Sequence, residues 1–99
     1  MYVAVSRFAV LNDLAPQVAD AFRRRPHKVD NVPGFRRMEV ISPADDPNEF
    51  WLLTFWDNEA SFKTWHRSHA YKNSHAVIPK GLKLVPERTS LRAFTLVCE

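Results

Sequence analysis

The sequence predicts an α+β domain, a four-stranded antiparallel sheet with two helices on one face, built in the order βαββαβ. Three observations predict it. Runs rich in Val, Phe, Trp, Ile and Thr recur at Tyr2 to Val10, Phe35 to Ile41, Phe50 to Trp56 and Thr89 to Cys98. The stretches after the first and third runs carry apolar residues at helical spacing, and Pro-, Gly-, Asn- and Asp-rich punctuation separates the segments. With 99 residues and no repeat or linker, the chain reads as a single domain, 1–99, of the ferredoxin-like split βαβ type.

The first strand runs from Tyr2 and ends at Asn12-Asp13. Pro16 suits a first helical turn, and Val18, Ala21 and Phe22 share one face, so a helix starts at about Ala15. Pro26 removes a backbone donor, which predicts a kink or restart near Arg25. The segment ends before Val32-Pro33-Gly34, a turn signal that delivers the chain into strand two. The prolines and acids of residues 42–48 form a hairpin loop, and strand three follows. Asp57 is the expected N-cap of helix two, which carries Phe62 and Trp65 three apart. Ser68 is expected to cap a second short helical segment to about His75, closed by Pro79 and Gly81. Residues 77–88 are then a loop before the last strand.

Strand three places large apolar groups on both of its faces, so both require cover. The helices cover one. A monomer seldom exposes an apolar patch of the size the other would present, which predicts a homodimer packed sheet against sheet.

Composition narrows the chemistry. No apolar run approaches the ~20 residues that span a bilayer, and the N-terminus lacks the basic flank and cleavage site of a secretory signal. The lone Cys98 forms no internal disulfide and suits a reducing cytoplasm. The net charge of +3 arises in residues 1–40, where seven Lys/Arg meet four Asp/Glu; residues 41–99 hold seven of each. Arg23, Arg24, Arg25, Lys28, Arg36 and Arg37 could meet the carboxylates of a small acidic ligand, but no nucleic-acid-binding motif accompanies them. Two glycines leave no Gly-rich phosphate loop, and no nucleophile elbow or zinc-ligand pattern is present.

What remains is an aromatic inventory with a few histidines, concentrated between Phe62 and His75. Ten positions separate Trp65 from His75, about 1000° of regular helix and roughly 80° short of one face, so a break near Ser68 is needed to bring them together. An apolar pocket with one imidazole suits a planar hydrophobic ligand such as haem, for which one axial histidine suffices. A histidine near a helix end also serves as a surface group or cap, and a tryptophan at this spacing as core.

Asn31-Val32-Pro33-Gly34-Phe35, the strand ending Thr54-Phe55-Trp56, and Ser61-Phe62 through Trp65, Ser68 and His75 resemble the antibiotic-biosynthesis-monooxygenase family. Within it they are most similar to haem-degrading monooxygenases of the IsdG type, over roughly residues 3–97. The resemblance implies a dimeric α+β barrel in which haem is both substrate and cofactor, used with dioxygen and an external electron donor. It places His75 as the axial ligand of the haem iron and Trp65 as the bulk that bends the macrocycle. The family's first-strand asparagine is Ser6 here, a shorter donor with a single hydrogen bond to give, which implies haem binding with slowed or absent turnover. Arg23, Arg24 and Lys28 would pair with the propionates. Two other readings follow from the departure at Ser6. One is a cofactor-independent monooxygenase of the same superfamily acting on an aromatic molecule; the other is a non-catalytic dimeric module that binds a small molecule.

Overall fold

Strands form where β-branched and aromatic residues run together, and each pairs antiparallel with its neighbour. The structure, a computed structural model, describes residues 1–25, 27–68 and 81–99. Its strands are β1 (Tyr2–Ala9), β2 (Phe35–Ile41), β3 (Glu49–Trp56) and β4 (Ser90–Thr95), in the sheet order β2-β3-β1-β4. Helix α1 (Ala15–Arg23) joins β1 to β2, and α2 (Glu59–His66) lies between β3 and β4. This is the split βαβ arrangement expected.

Several boundaries move for physical reasons. β4 is shorter than the predicted Thr89 to Cys98 because its partner runs out: Tyr2 pairs with Thr95, and beyond it only the Leu96 amide finds the Met1 carbonyl, at 3.0 Å. Helix α1 stops at Arg23, where the predicted kink near Arg25 becomes an end. A residue before proline is driven out of the helical region, and Arg25 precedes Pro26, which itself lies outside the described residues. The chain turns through His27 (φ 57°) into a 3-10 turn, Lys28–Asn31. The N-cap of α2 is Asn58, not Asp57: the Asn58 Oδ1 accepts from the Ser61 amide at 2.9 Å. Asp57 instead pairs with Arg36 through its carboxylate and donates its amide to the Gly34 carbonyl at 2.8 Å. Within the predicted 77–88 loop, a bridge pairs Val10 with Leu84 and a 3-10 turn forms at Pro86–Arg88. The expected segment from Ser68 to His75 falls on residues 69–80, outside the described residues; Ser68 itself closes α2, its Oγ donating to the Trp65 carbonyl at 2.6 Å.

Side-chain parity sorts the sheet into two faces. Tyr2, Ala4, Ser6 and Phe8 on β1 stand opposite Trp56, Thr54, Leu52 and Phe50 on β3, and these face the helices. The cover is two separate clusters. Under α1, Val10, Ala15, Val18 and Phe50 are buried with Phe8 and Phe22 against them. Under α2, Val29, Trp56 and Trp65 are buried with Tyr2, Phe35 and Phe62 packed around them. Trp56 is 0% exposed, and its ring meets Phe35 at 5.4 Å and Phe62 at 5.7 Å.

Among the described residues no α-helix covers the other face. Val5, Arg7, Trp51, Leu53, Phe55, Arg37 and Phe94 lie there, and three arginines stack on aromatic rings: Arg7 on Trp51, Arg37 on Phe55 and Arg92 on Phe94. At one end the turn Pro86–Arg88 is pinned to the sheet. The Arg88 Nη2 reaches Glu49 Oε1 at 2.6 Å and Asp46 Oδ2 at 2.7 Å, while Trp51 Nε1 donates to the other Glu49 oxygen at 2.8 Å.

Candidate active site

Between the two clusters the helix face carries Ala4, Ser6, Thr54 and Ala93 among longer apolar side chains. The rows Ser6–Leu52 and Ala4–Thr54 lie between the two buried centres, with Leu52 and Val40 packed against the cluster under α1, and they extend through Val40 and Met38 on β2 and through Leu91 and Ala93 on β4. The Phe8–Phe50 row stands six positions from the Tyr2–Trp56 row, a span of about 20 Å at the rise of a strand. Ser6 stands half-buried in this floor, and Leu91 beside it is 51% exposed. Thr54 is occupied elsewhere, its Oγ1 accepting from Trp56 Nε1 at 2.9 Å. Ser6 and Thr54 carry the hydroxyls of this floor.

Met38 reaches the floor only because of a bulge in β2. Phe35 stands opposite Trp56 and Arg37 opposite Phe55, so Arg36 is the extra residue and Met38 returns to the helix face opposite Thr54. From Met38 the floor opens into a cleft of about 330 Å³ beneath α1, lined by Phe22, Arg23, Arg25, Val40 and Phe50. Its base is apolar and its rim cationic. Arg23, the last residue of α1, makes no ion pair among the described residues, whereas Arg24 pairs with Asp20 and Arg25 with Asp30.

Trp65 lies on the last turn of α2, buried against Val29 and Trp56. The helix can sit this close because Gly34, at φ 84°, has no side chain to strike Ser61 one turn before Trp65. Ser6 and Trp65 therefore come to the same side of the sheet. Lys28 opens the 3-10 turn beyond the cleft. His75 lies outside the described residues. Sequence reasoning did not single out Met38, Thr54, Ala4 or Leu91; the available signal was their period-two spacing from Ser6, which needs the sheet order to be read. Among the described residues no three His, Cys, Asp or Glu side chains gather to hold a metal ion, and no helix is long and apolar enough to cross a membrane.

Comparison with known proteins adds a family to this geometry. The model of the family described as antibiotic biosynthesis monooxygenase matches residues 1–77. A staphylobilin-producing haem oxygenase of Staphylococcus saprophyticus is 34% identical over 77 residues, covering 76% of this chain and 73% of the relative. A mycobilin-producing haem oxygenase of Mycobacterium tuberculosis is 25% identical over 63 residues, 64% of this chain and 60% of the relative. Solved structures share the fold. The haem degrader MhuD of Mycobacterium tuberculosis, with two haems in its active site, superposes with a TM-score of 0.79 at 23% identity, covering 100% of this chain and 98% of that one. SnoaB, a cofactor-independent oxygenase of Streptomyces nogalater, gives 0.77 at 17% identity, covering 99% and 94%.

Proposed function

The chain belongs to the antibiotic biosynthesis monooxygenase family, and from that premise we propose that it is a haem-degrading monooxygenase that opens the ring oxidatively and releases iron. The observation that carries the proposal is the floor between the two helical clusters: largely apolar, with the Ser6 hydroxyl on it and a cationic rim at one end. A flat, largely apolar dicarboxylate fits those surroundings, since it needs a wide, shallow apolar bed and cations for its acids. The relationship to haem oxygenases supports the same ligand.

Bound haem would supply both the oxidisable ring and the redox iron, with dioxygen and an external electron donor completing the balance. His75 would hold the haem iron. Trp65 forms a stiff wall, because an indole packed against Trp56 and Val29 has little room to yield to a ligand pressed on it. Ser6 offers its hydroxyl from the floor; being shorter than asparagine, it holds a distal group less firmly. Arg23 would meet the propionates at the cleft. We further assign the uncovered sheet face, where Ile41 is 50% and Phe94 40% exposed, to the interface of a homodimer. Ser6 favours a second reading, a cofactor-independent oxygenase with an aromatic substrate in the same floor, and a third in which the pocket binds but does not react.

Hemin titrated into the purified protein tests the proposal. The expected result is a Soret shift that is lost in His75→Ala; an unshifted band in the wild type refutes haem ligation.

A further inference from the structure

The connection from α1 to β2 holds a charge cluster that the haem reading leaves unused. Arg25 lines the cleft beside Arg23, its side chain 19% exposed, and its Nη1 donates to Asp30 Oδ1 at 3.2 Å. The other carboxylate oxygen, Oδ2, lies 3.0 Å from His27 Nδ1. Among the described residues His27 alone, glycines aside, has a positive φ, and at 57° the chain doubles back so that the imidazole meets the carboxylate three residues on. A non-glycine residue stays in that region only where its surroundings hold it. One aspartate therefore serves two bases, and one of them faces the cleft.

We propose that Asp30 is a positioning residue that keeps Arg25 engaged away from a ligand's carboxylates, and that protonation of His27 releases Arg25, so that the cleft takes carboxylate ligands more tightly below neutral pH. The inference rests on reading this cleft as the place of the ligand's acidic groups. It does not require iron or His75. Burial pushes the Asp30 carboxyl up, but hydrogen bonds from His27 and Arg25 outweigh it and hold it below the usual carboxylate range, so Asp30 is anionic throughout the window in which histidines titrate. With neutral His27, Arg25 and Asp30 cancel, and an incoming carboxylate must compete with Asp30. With protonated His27 the cluster gains one positive charge, and Asp30 is shared between two cations.

On α1, Arg24 is engaged by Asp20 at 2.5 Å, and Arg23 turns to the cleft. On β2, which packs against the 3-10 turn, Arg36 pairs with Asp57 and Arg37 with Glu39. Lys28 adjoins His27 in the chain.

The test uses metal-free protoporphyrin IX, a dicarboxylate that no axial histidine can hold, with tryptophan fluorescence as the readout at about pH 6 and 8. Wild type should bind about two- to fivefold more tightly at the lower pH, the range an exposed charge pair supports. His27→Asn keeps a residue that tolerates the left-handed region and removes the proton, so the ratio should fall to near one. Asp30→Asn should raise affinity at the higher pH. A ligand-free readout runs alongside: the Nε–H resonance of Arg25 should move across this pH range in wild type and stay still in His27→Asn. An unchanged pH ratio in His27→Asn, a static Arg25 resonance in wild type, or no porphyrin binding at either pH overturns the proposal. A His27-dependent ratio for porphyrin with no Soret shift for hemin supports it and refutes haem ligation alone.

Discussion

Replacing Gly34 by alanine tests how α2, and with it Trp65, is brought onto the sheet. A Cβ at Gly34 would lie 2.6 Å from the Cβ of Ser61 and closer still to its hydroxyl. Neither atom is the loose end of a long side chain, so α2 must shift. The left-handed backbone adds roughly 1 kcal/mol for a residue with a Cβ, and forcing an extra carbon into a packed contact adds about 1–3 kcal/mol. The sum, about 2–4 kcal/mol, corresponds to a fall in melting midpoint of at least about 8 °C in a domain of this size. The two contributions separate in a double-mutant cycle with Ser61→Gly, which removes both clashing atoms and leaves the backbone strain. Chemical denaturation of the four proteins should show Gly34→Ala costing only about 1 kcal/mol in the Ser61→Gly background. An equal cost in both backgrounds would refute close approach as the reason for glycine.

Two further outcomes follow from the sheet's exposed side. Hydrogen bonds from Trp51 and Arg88 hold the Glu49 carboxyl below the usual range, and Arg88 and the Asn48 amide do the same for Asp46. For groups lowered on folding, the stabilisation is present above the unfolded carboxylate values near 4 and is lost as pH falls through the folded ones. The urea midpoint of the wild type should therefore drop between about pH 5 and 3, and Arg88→Met should flatten that drop; parallel profiles would remove the clamp from the explanation. Leu53→Asp, placed on the uncovered face, should convert a dimer to a monomer in size-exclusion chromatography, and a wild-type protein that elutes as a monomer contradicts the proposed sheet-to-sheet packing.

Much of this architecture was legible in the chain because the strongest signals are local. Strand β2 begins and ends at Phe35 and Ile41 as its composition indicates, and α1 begins at Ala15. Features that depend on a second segment were not legible. Asp57 and Asn58 are both competent caps; the amide bond from Asp57 to Gly34 and its pairing with Arg36 decide that Asn58 takes the role. The end of β4 is set by where β1 stops, not by Leu96, Val97 or Cys98. The site divides the same way. Trp65 sits on the apolar face that helical spacing marks out and Ser6 is located by the family resemblance, whereas Met38 joins the floor through a bulge that no turn residue announces. The pairing of His27 with Asp30 required a left-handed histidine, which sequence alone gives no reason to expect.

The haem-degrading reading is tested most directly by following hemin-loaded protein in air with ascorbate as electron donor and an iron chelator present. Progressive loss of the Soret band, with matching capture of iron by the chelator, is the predicted result. A Soret band that persists while free hemin controls behave identically contradicts it and leaves a protein that binds haem without opening the ring.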